Sequence, residues 1–314
     1  MQLKISNFFG FIGLGFFFFT SCDDRPKLMD TPTSGLITVL VDETYKPLMD
    51  SEKMVFEAQY PDAKINVVYK PALDILDQMD NDSFRAYFTA APVDSNLLRG
   101  FYERKKYFPK SIFIAKDAIA LIANNQKKGL KISVDEFAKI CRGEITDYSQ
   151  VKGCKHSGKI TLVFDNAKSS TVQYIQDSVL KGGLISNKTF ALQSNPDVMD
   201  YVTKNNGALG VIGANWISDN ADIETLKFTQ SIYTVEVGEG ENPAYFYTPH
   251  PGYIATHMYP MRRLMTVTLK ENGAALGRGF VNFITGDIGQ KIVLKSGIVP
   301  AKAITRVVET RNKL

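Results

Sequence analysis

The residues with the clearest chemical meaning in this 314-residue chain stand together at Phe164-Asp165-Asn166-Ala167-Lys168-Ser169-Ser170-Thr171-Val172-Gln173-Tyr174. An apolar, strand-like run passes there through a polar turn into a helix whose first turn is rich in hydroxyls. A helix start presents unpaired backbone N–H groups and the positive end of the helix dipole. Ser169, Ser170 and Thr171 add hydroxyl donors and Lys168 a positive charge, and together these suit a small oxyanion. The same Ser-Ser-Thr run also serves as a plain N-cap, and both readings stand at this stage. Catalytic constellations are missing. The three histidines, His156, His250 and His257, lie at no metal-ligand spacing, and neither a nucleophile elbow nor a Walker loop occurs. Neither a metal nor a cofactor is therefore expected. Adjacent acids such as Asp42-Glu43 point to opposite faces of a strand and do not make an acid/base pair by adjacency. Net charge is +4 with the basic residues scattered, which argues against nucleic acid as a partner.

The N-terminus reads as an export signal: Lys4 is followed by an almost wholly apolar stretch over 8–19 that ends at Thr20-Ser21-Cys22. The stretch is too short for a comfortable membrane span. Small Ser21 before Cys22 and Asp23-Asp24 after it suggest a lipoprotein signal peptide over 1–21, with Cys22 lipidated and the acyl chains serving as the membrane anchor. A plain secretory signal with an incidental cysteine is the alternative. Residues 22–35 are polar and interrupted by Pro26 and Pro32, as in a flexible tether. Cys141 and Cys154 remain, in what would be an extracytoplasmic compartment; either they form a disulfide or they are two buried thiols.

The roughly 280 residues that follow the tether exceed the comfortable size of one core and favour two domains. Apolar runs and helical patterns alternate over 36–105, which argues for βαβ units and a mostly parallel sheet. Separate strands are expected at 112–114 and 118–123. Ser133-Val134-Asp135-Glu136 reads as a capping box opening a helix that Gly143 ends. Helices are expected after Ser169 or Ser170 and after Ser194-Asn195-Pro196, a strand at 208–212 and an apolar run at 266–269. A long amphipathic stretch with a break at Gly286 closes the chain.

Several ordered segments resemble the phosphate-binding component of ABC phosphate-uptake systems, within the type II periplasmic-binding-protein fold. They are Ala115-Lys116-Asp117-Ala118-Ile119-Ala120, Arg142-Gly143-Glu144-Ile145-Thr146-Asp147-Tyr148, Ser169-Ser170-Thr171 in place of the family's Ser-Gly-Thr, Asn206-Gly207-Ala208-Leu209-Gly210-Val211-Ile212, and the C-terminal stretch 280–300. The resemblance implies an α/β fold of two lobes around a ligand cleft. Lobe 1 would comprise 36–113 and 248–314, lobe 2 114–247, with crossovers near 112–117 and 245–249. It further implies an extracytoplasmic, lipid-anchored, monomeric binding protein that performs no chemistry and delivers a small anion, phosphate first, to an ABC permease.

Departures from the family pattern fall at the implied ligand contacts. The first donor loop is here Val41-Asp42-Glu43-Thr44-Tyr45-Lys46, and the second, Ser-Gly-rich in the family, is Lys70-Pro71-Ala72-Leu73. Asp165-Asn166 stands where the family has an arginine, leaving Lys168 as the nearby cation, without a bidentate fork. The resemblance thus implies Asp42, Thr44, Tyr45, Lys168, Ser169, Ser170 and Thr171 as ligand-binding residues. Asp42 and Glu43 would repel a dianion unless one takes a proton from the ligand or pairs with Lys46 or Lys168; alternatively Asp42 caps the first helix and Glu43 faces solvent. A receptor or scaffold that has kept the fold and lost phosphate is the rival expectation.

Overall fold

A computed structural model of the chain describes residues 29–302 apart from 92, 94, 219–222 and 272. The expected signal peptide, Cys22 and the first half of the tether, 22–28, lie outside the described residues, as does 303–314. The first block runs β1 (Gly35–Asp42), a 3₁₀ turn (Glu43–Tyr45), α1 (Lys46–Gln59), β2 (Ala63–Lys70), α2 (Ala72–Leu76), β3 (Phe84–Thr89) and α3 (Ser95–Lys105). β1 pairs in parallel with β2 on one side and β3 on the other. Such a strand is covered on both faces, which is why its sequence is a continuous apolar run. Pro47 sits in the first turn of α1, where its missing N–H costs nothing. Leu48, Met49 and Phe56 face the sheet from that helix.

β4 (Lys110–Asn124) follows as one long strand. It joins the two runs expected to be separate, because Ala115, Lys116 and Asp117 stay paired with a neighbouring antiparallel strand and so remain extended. The middle block holds β5 (Lys131–Ser133), α4 (Val134–Arg142), β6 (Thr161–Phe164), α5 (Ser170–Tyr174), β7 (Phe190–Ala191), α6 (Asn195–Lys204), β8 (Ala208–Gly213), α7 (Asn215–Ser218), α8 (Ile223–Ser231), β9 (Ile232–Thr234), β10 (Glu236–Gly238) and α9 (Pro251–Ala255). α4 opens with the expected capping box between Ser133 and Glu136 and closes on left-handed Gly143 at φ 77°. The last block is β11 (Arg262–Leu269), α10 (Leu276–Thr285), α11 (Asp287–Lys295) and β12 (Val299–Pro300), with Gly286 dividing the two helices.

The main sheet has the order β2-β1-β3-β11-β4-β8-β6-β7. Two large apolar cores form along it, with a small cluster of Leu40, Ile75 and Tyr87 under α2. One draws on 37–115 and 265–298, the other on 118–261. They meet along β4 and β11, whose antiparallel ladder runs from Lys110 opposite Leu269 to Ala118 opposite Arg262. On β4 the buried residues change core between Ala115 and Ala118. On the return path they change between Met261 and Met265 rather than at 245–249. Tyr259 fixes that later crossing by donating its hydroxyl to Ile119 O at 2.6 Å, and Ile119 N donates to Met261 O at 2.9 Å.

Candidate functional site

Three chain segments bring polar side chains to the line where the two cores meet. The end of β1 carries Asp42, whose Oδ1 accepts from Thr44 N at 3.1 Å and so caps the 3₁₀ turn that places Thr44 and Tyr45. The end of β6 leads through Asp165 to α5. There Ser169 accepts from Val172 N at 3.1 Å as the N-cap and donates its hydroxyl to Asp165 Oδ1 at 2.6 Å. Ser170 and Thr171 form the first turn of α5, and Thr44 Oγ1 lies 3.5 Å from Ser170 Oγ. The N-cap and ligand readings of Ser-Ser-Thr therefore divide by residue: Ser169 caps, and the next two hydroxyls face the opposite segment. Asp42, Thr44, Tyr45, Ser169, Ser170 and Thr171 are brought together, none more than 2% exposed.

The third segment was not anticipated. Arg263 on β11 stands directly across the ladder from Asp117 on β4. Its Nε donates to Asp117 Oδ2 at 2.9 Å, and Nη2 lies 2.8 Å from the same oxygen. Nη1 donates to Ser170 Oγ at 3.1 Å and to Thr171 Oγ1 at 3.4 Å, and the guanidinium lies 5.5 Å from the Tyr45 ring centroid. A usable signal was present: Met261, Arg263, Met265, Val267 and Leu269 alternate along the strand, so an arginine occupies a position on the buried face. Lys168 does not join the hydroxyls. Its side chain is exposed and pairs at 2.7 Å with Asp74 on α2, because the turn before α5 directs it outward. The buried cation here is Arg263.

Charge at the site is acidic. Asp42, Asp117 and Asp165 are fully buried around Arg263. Burial first, then Asp165, Asp42 and Asp74, push the Glu43 carboxyl up to about 7. Burial also lifts Asp165 to about 6, against the hydrogen bonds it accepts from Ser169 and Asn166 N. Asp117 is raised by burial and partly restored by Arg263. Burial would favour the neutral form of Arg263, but the Asp117 and Asp42 carboxylates hold it charged. Asp42 Oδ2, Glu43 Oε1, Asp117 Oδ1 and Asn215 Oδ1 are buried acceptors with no protein donor, and Tyr45 OH faces Asp117 without closing a hydrogen bond. Such atoms cost free energy unless something donates to them. A group that both accepts from hydroxyls and guanidinium and donates to carboxylates fits this arrangement.

Glycine lets the segments approach. A Cβ on Gly213, the last residue of β8, would lie 2.5 Å from Thr44 Cγ2, 2.8 Å from Asn215 Oδ1 and 2.9 Å from Arg263 Nη2. Its N donates to Asn195 Oδ1 at 3.1 Å, and Asn195 donates to Asp165 Oδ2 at 3.2 Å.

Residues 29–287 match the family described as PBP superfamily domain. The chain belongs to the PBP superfamily. Phosphate-binding protein PstS of Borreliella burgdorferi is 22% identical over 298 residues, covering 89% of this chain and 92% of that one. Among solved structures, a Clostridium perfringens protein assigned to phosphate ABC transport and carrying bound phosphate has a TM-score of 0.70 at 19% identity, over 85% of this chain and 100% of that one. An ABC-type phosphate transport receptor from Vibrio cholerae has a TM-score of 0.63 at 16% identity, over 85% and 100%. These likenesses establish the two-lobed α/β fold.

Within this PBP-superfamily fold the other singled-out residues have plain roles. Cys141 and Cys154 are free thiols: Cys141 is buried in the apolar face of α4, and Cys154 Sγ accepts from His156 N at 3.4 Å, so the disulfide alternative is not the one adopted. His250 and His257 are exposed. Among the described residues, no group of three or more His, Cys, Asp or Glu is placed to hold a metal, and no helix is long and apolar enough to cross a membrane.

Proposed function

We propose that the chain is an extracytoplasmic solute-binding protein that takes phosphate, or a similar small anion bearing a proton, between its two lobes and hands it to an ABC-type importer. The observation that carries this is the convergence of the Ser170 and Thr171 hydroxyls on the Arg263 guanidinium, with the Thr44 hydroxyl facing Ser170, at the boundary between the cores. The PstS relative and the phosphate-carrying neighbour support the choice of anion. Arg263 replaces the cation the Ser-Gly-Thr pattern normally has beside it, from a different strand, with a planar fork suited to an oxyanion. The buried carboxylate oxygens without donors favour a ligand that brings its own proton. Such a protein binds and releases without chemistry. Lobe 1 is assigned the two chain ends and lobe 2 the middle. Cys22 carries the lipid anchor after removal of 1–21, and the protein acts as a monomer in the cell envelope, on the periplasmic side or as an outer-membrane lipoprotein.

Equilibrium dialysis with labelled phosphate tests this. Saturable binding by the wild type, lost in Thr171→Ala, is the expected result; no binding by folded protein overturns it. One observation favours a second reading, a receptor or scaffold on the same fold: Ser170 and Thr171 already have a partner in Arg263, and acids outnumber that cation. Phosphate silence together with capture of an envelope protein would select it.

A further inference from the structure

The loop at 70–73, Ser-Gly-rich where the resemblance leads one to expect ligand donors, does something else here. Pro71 ends the approach and α2 begins at Ala72. Leu73 N, in the first turn of α2, donates to Lys168 O at 3.2 Å, and Asp74 Oδ1 accepts from Lys168 Nζ at 2.7 Å. Residue 168 thus holds α2 twice, once through its carbonyl and once through its ammonium. α2 packs with β1 and β3, on the side of the core built from 37–115, while Lys168 stands at the mouth of α5 in the middle block. The two contacts therefore tie one side of the cleft directly to the other, at the edge of the buried site. Deeper in, Asn215 Nδ2 donates to Thr44 O at 2.8 Å, a second direct tie between the same two blocks.

We infer that Asp74, Leu73 and Lys168 form a clasp that holds the cleft shut by protein-to-protein bonds and sets the rate at which solute is admitted and released. Asp74 and Lys168 are positioning residues, not ligand contacts. The pair is partly exposed, at 34% for Asp74 and 59% for Lys168, so each member is worth only a small factor, and added salt weakens it. Asp77 is the other acid acting on Lys168, and Glu43 is an acid that feels Asp74. The inference rests on the two-lobe binding reading, but the clasp itself can be observed without any solute.

The test is amide hydrogen exchange of the full chain, resolved at Leu73, in the wild type and in Asp74→Asn, Lys168→Met and the double variant. Leu73 is expected to be protected in the wild type without added phosphate. Protection should drop about two- to five-fold in either single variant, no further in the double, and similarly with added salt. Asp77, whose amide bonds Leu73 O within the helix, should keep its protection, showing that α2 is intact. In stopped-flow experiments reading Trp216, the single tryptophan, which lies next to Asn215, phosphate admission should quicken by the same factor in the variants. Unprotected Leu73 in the wild type, or unchanged exchange in both single variants, would overturn the clasp. The expected exchange pattern with no phosphate response would uphold the clasp and sink the phosphate reading instead.

Discussion

Among single residues, Arg263 bears most directly on both stability and anion binding. Removing it leaves Asp117 charged and buried without its partner, so Arg263→Met should destabilise the protein by about 3–5 kcal/mol in urea unfolding. Pairing it with Asp117→Leu should recover most of that stability, since a buried ion pair is often replaceable by apolar groups of similar size. Anion binding should not return, which separates the two roles of the arginine. Sequence reading found the hydroxyls, because Ser-Ser-Thr before a helix has a local physical meaning. It assigned the charge to Lys168, because proximity in sequence was all it could weigh, and a turn can direct such a side chain outward. Arg263 is 92 residues beyond Thr171 and reaches it only through strand pairing, so its role becomes legible once β4 and β11 are known to be neighbours.

At the scale of elements, capped helices were the most legible: α4 begins and ends at the residues its chemistry names. The continuity of β4 was not legible, because Lys116 and Asp117 look like a break until the partner strand supplies their pairing. α1 carries an unusual group. Glu52 is fully buried with neither carboxylate oxygen hydrogen-bonded, and burial pushes its carboxyl up to about 9. A carboxyl whose folded pKa is raised binds its proton more tightly in the folded state. The stability it allows is complete below the unfolded value of 4.5 and is lost as pH rises toward 9. At neutral pH the loss is about 3 kcal/mol. Glu52→Met should therefore flatten the fall in unfolding free energy between pH 5 and 9 seen in the wild type, an outcome chemical denaturation across that range can check. On β8, Gly213→Ala would press a methyl onto Thr44 and Asn215. Overpacking of this kind costs about 1–3 kcal/mol, and weakened anion binding measured by dialysis should accompany it.

At the scale of the whole molecule, two cores joined by β4 and β11 place a buried, acid-rich site where the halves meet. Alternating strands and helices made the fold class readable. The crossing near Met261 was hidden, because the aromatic, proline-rich stretch before it gives no period, and it takes the core that Tyr259 and Met261 pack into, with their hydrogen bonds to Ile119, to show which half it joins. The site's charge makes binding pH-dependent. Glu43 at about 7 and Asp165 at about 6 both lose protons as pH rises, adding negative charge beside the ligand. Phosphate affinity should consequently fall between pH 6 and 8, the reverse of what preference for the dianion alone would give.

Calorimetric titration of the full chain with phosphate and with sulfate, in the wild type and in Thr171→Ala, tests the anion site head-on. A saturable phosphate heat in the wild type, far weaker with sulfate and abolished in Thr171→Ala, is the predicted result. Equal response to both anions, or a phosphate heat untouched by the substitution, would contradict a hydroxyl-lined site for a protonated oxyanion at the junction of the two cores.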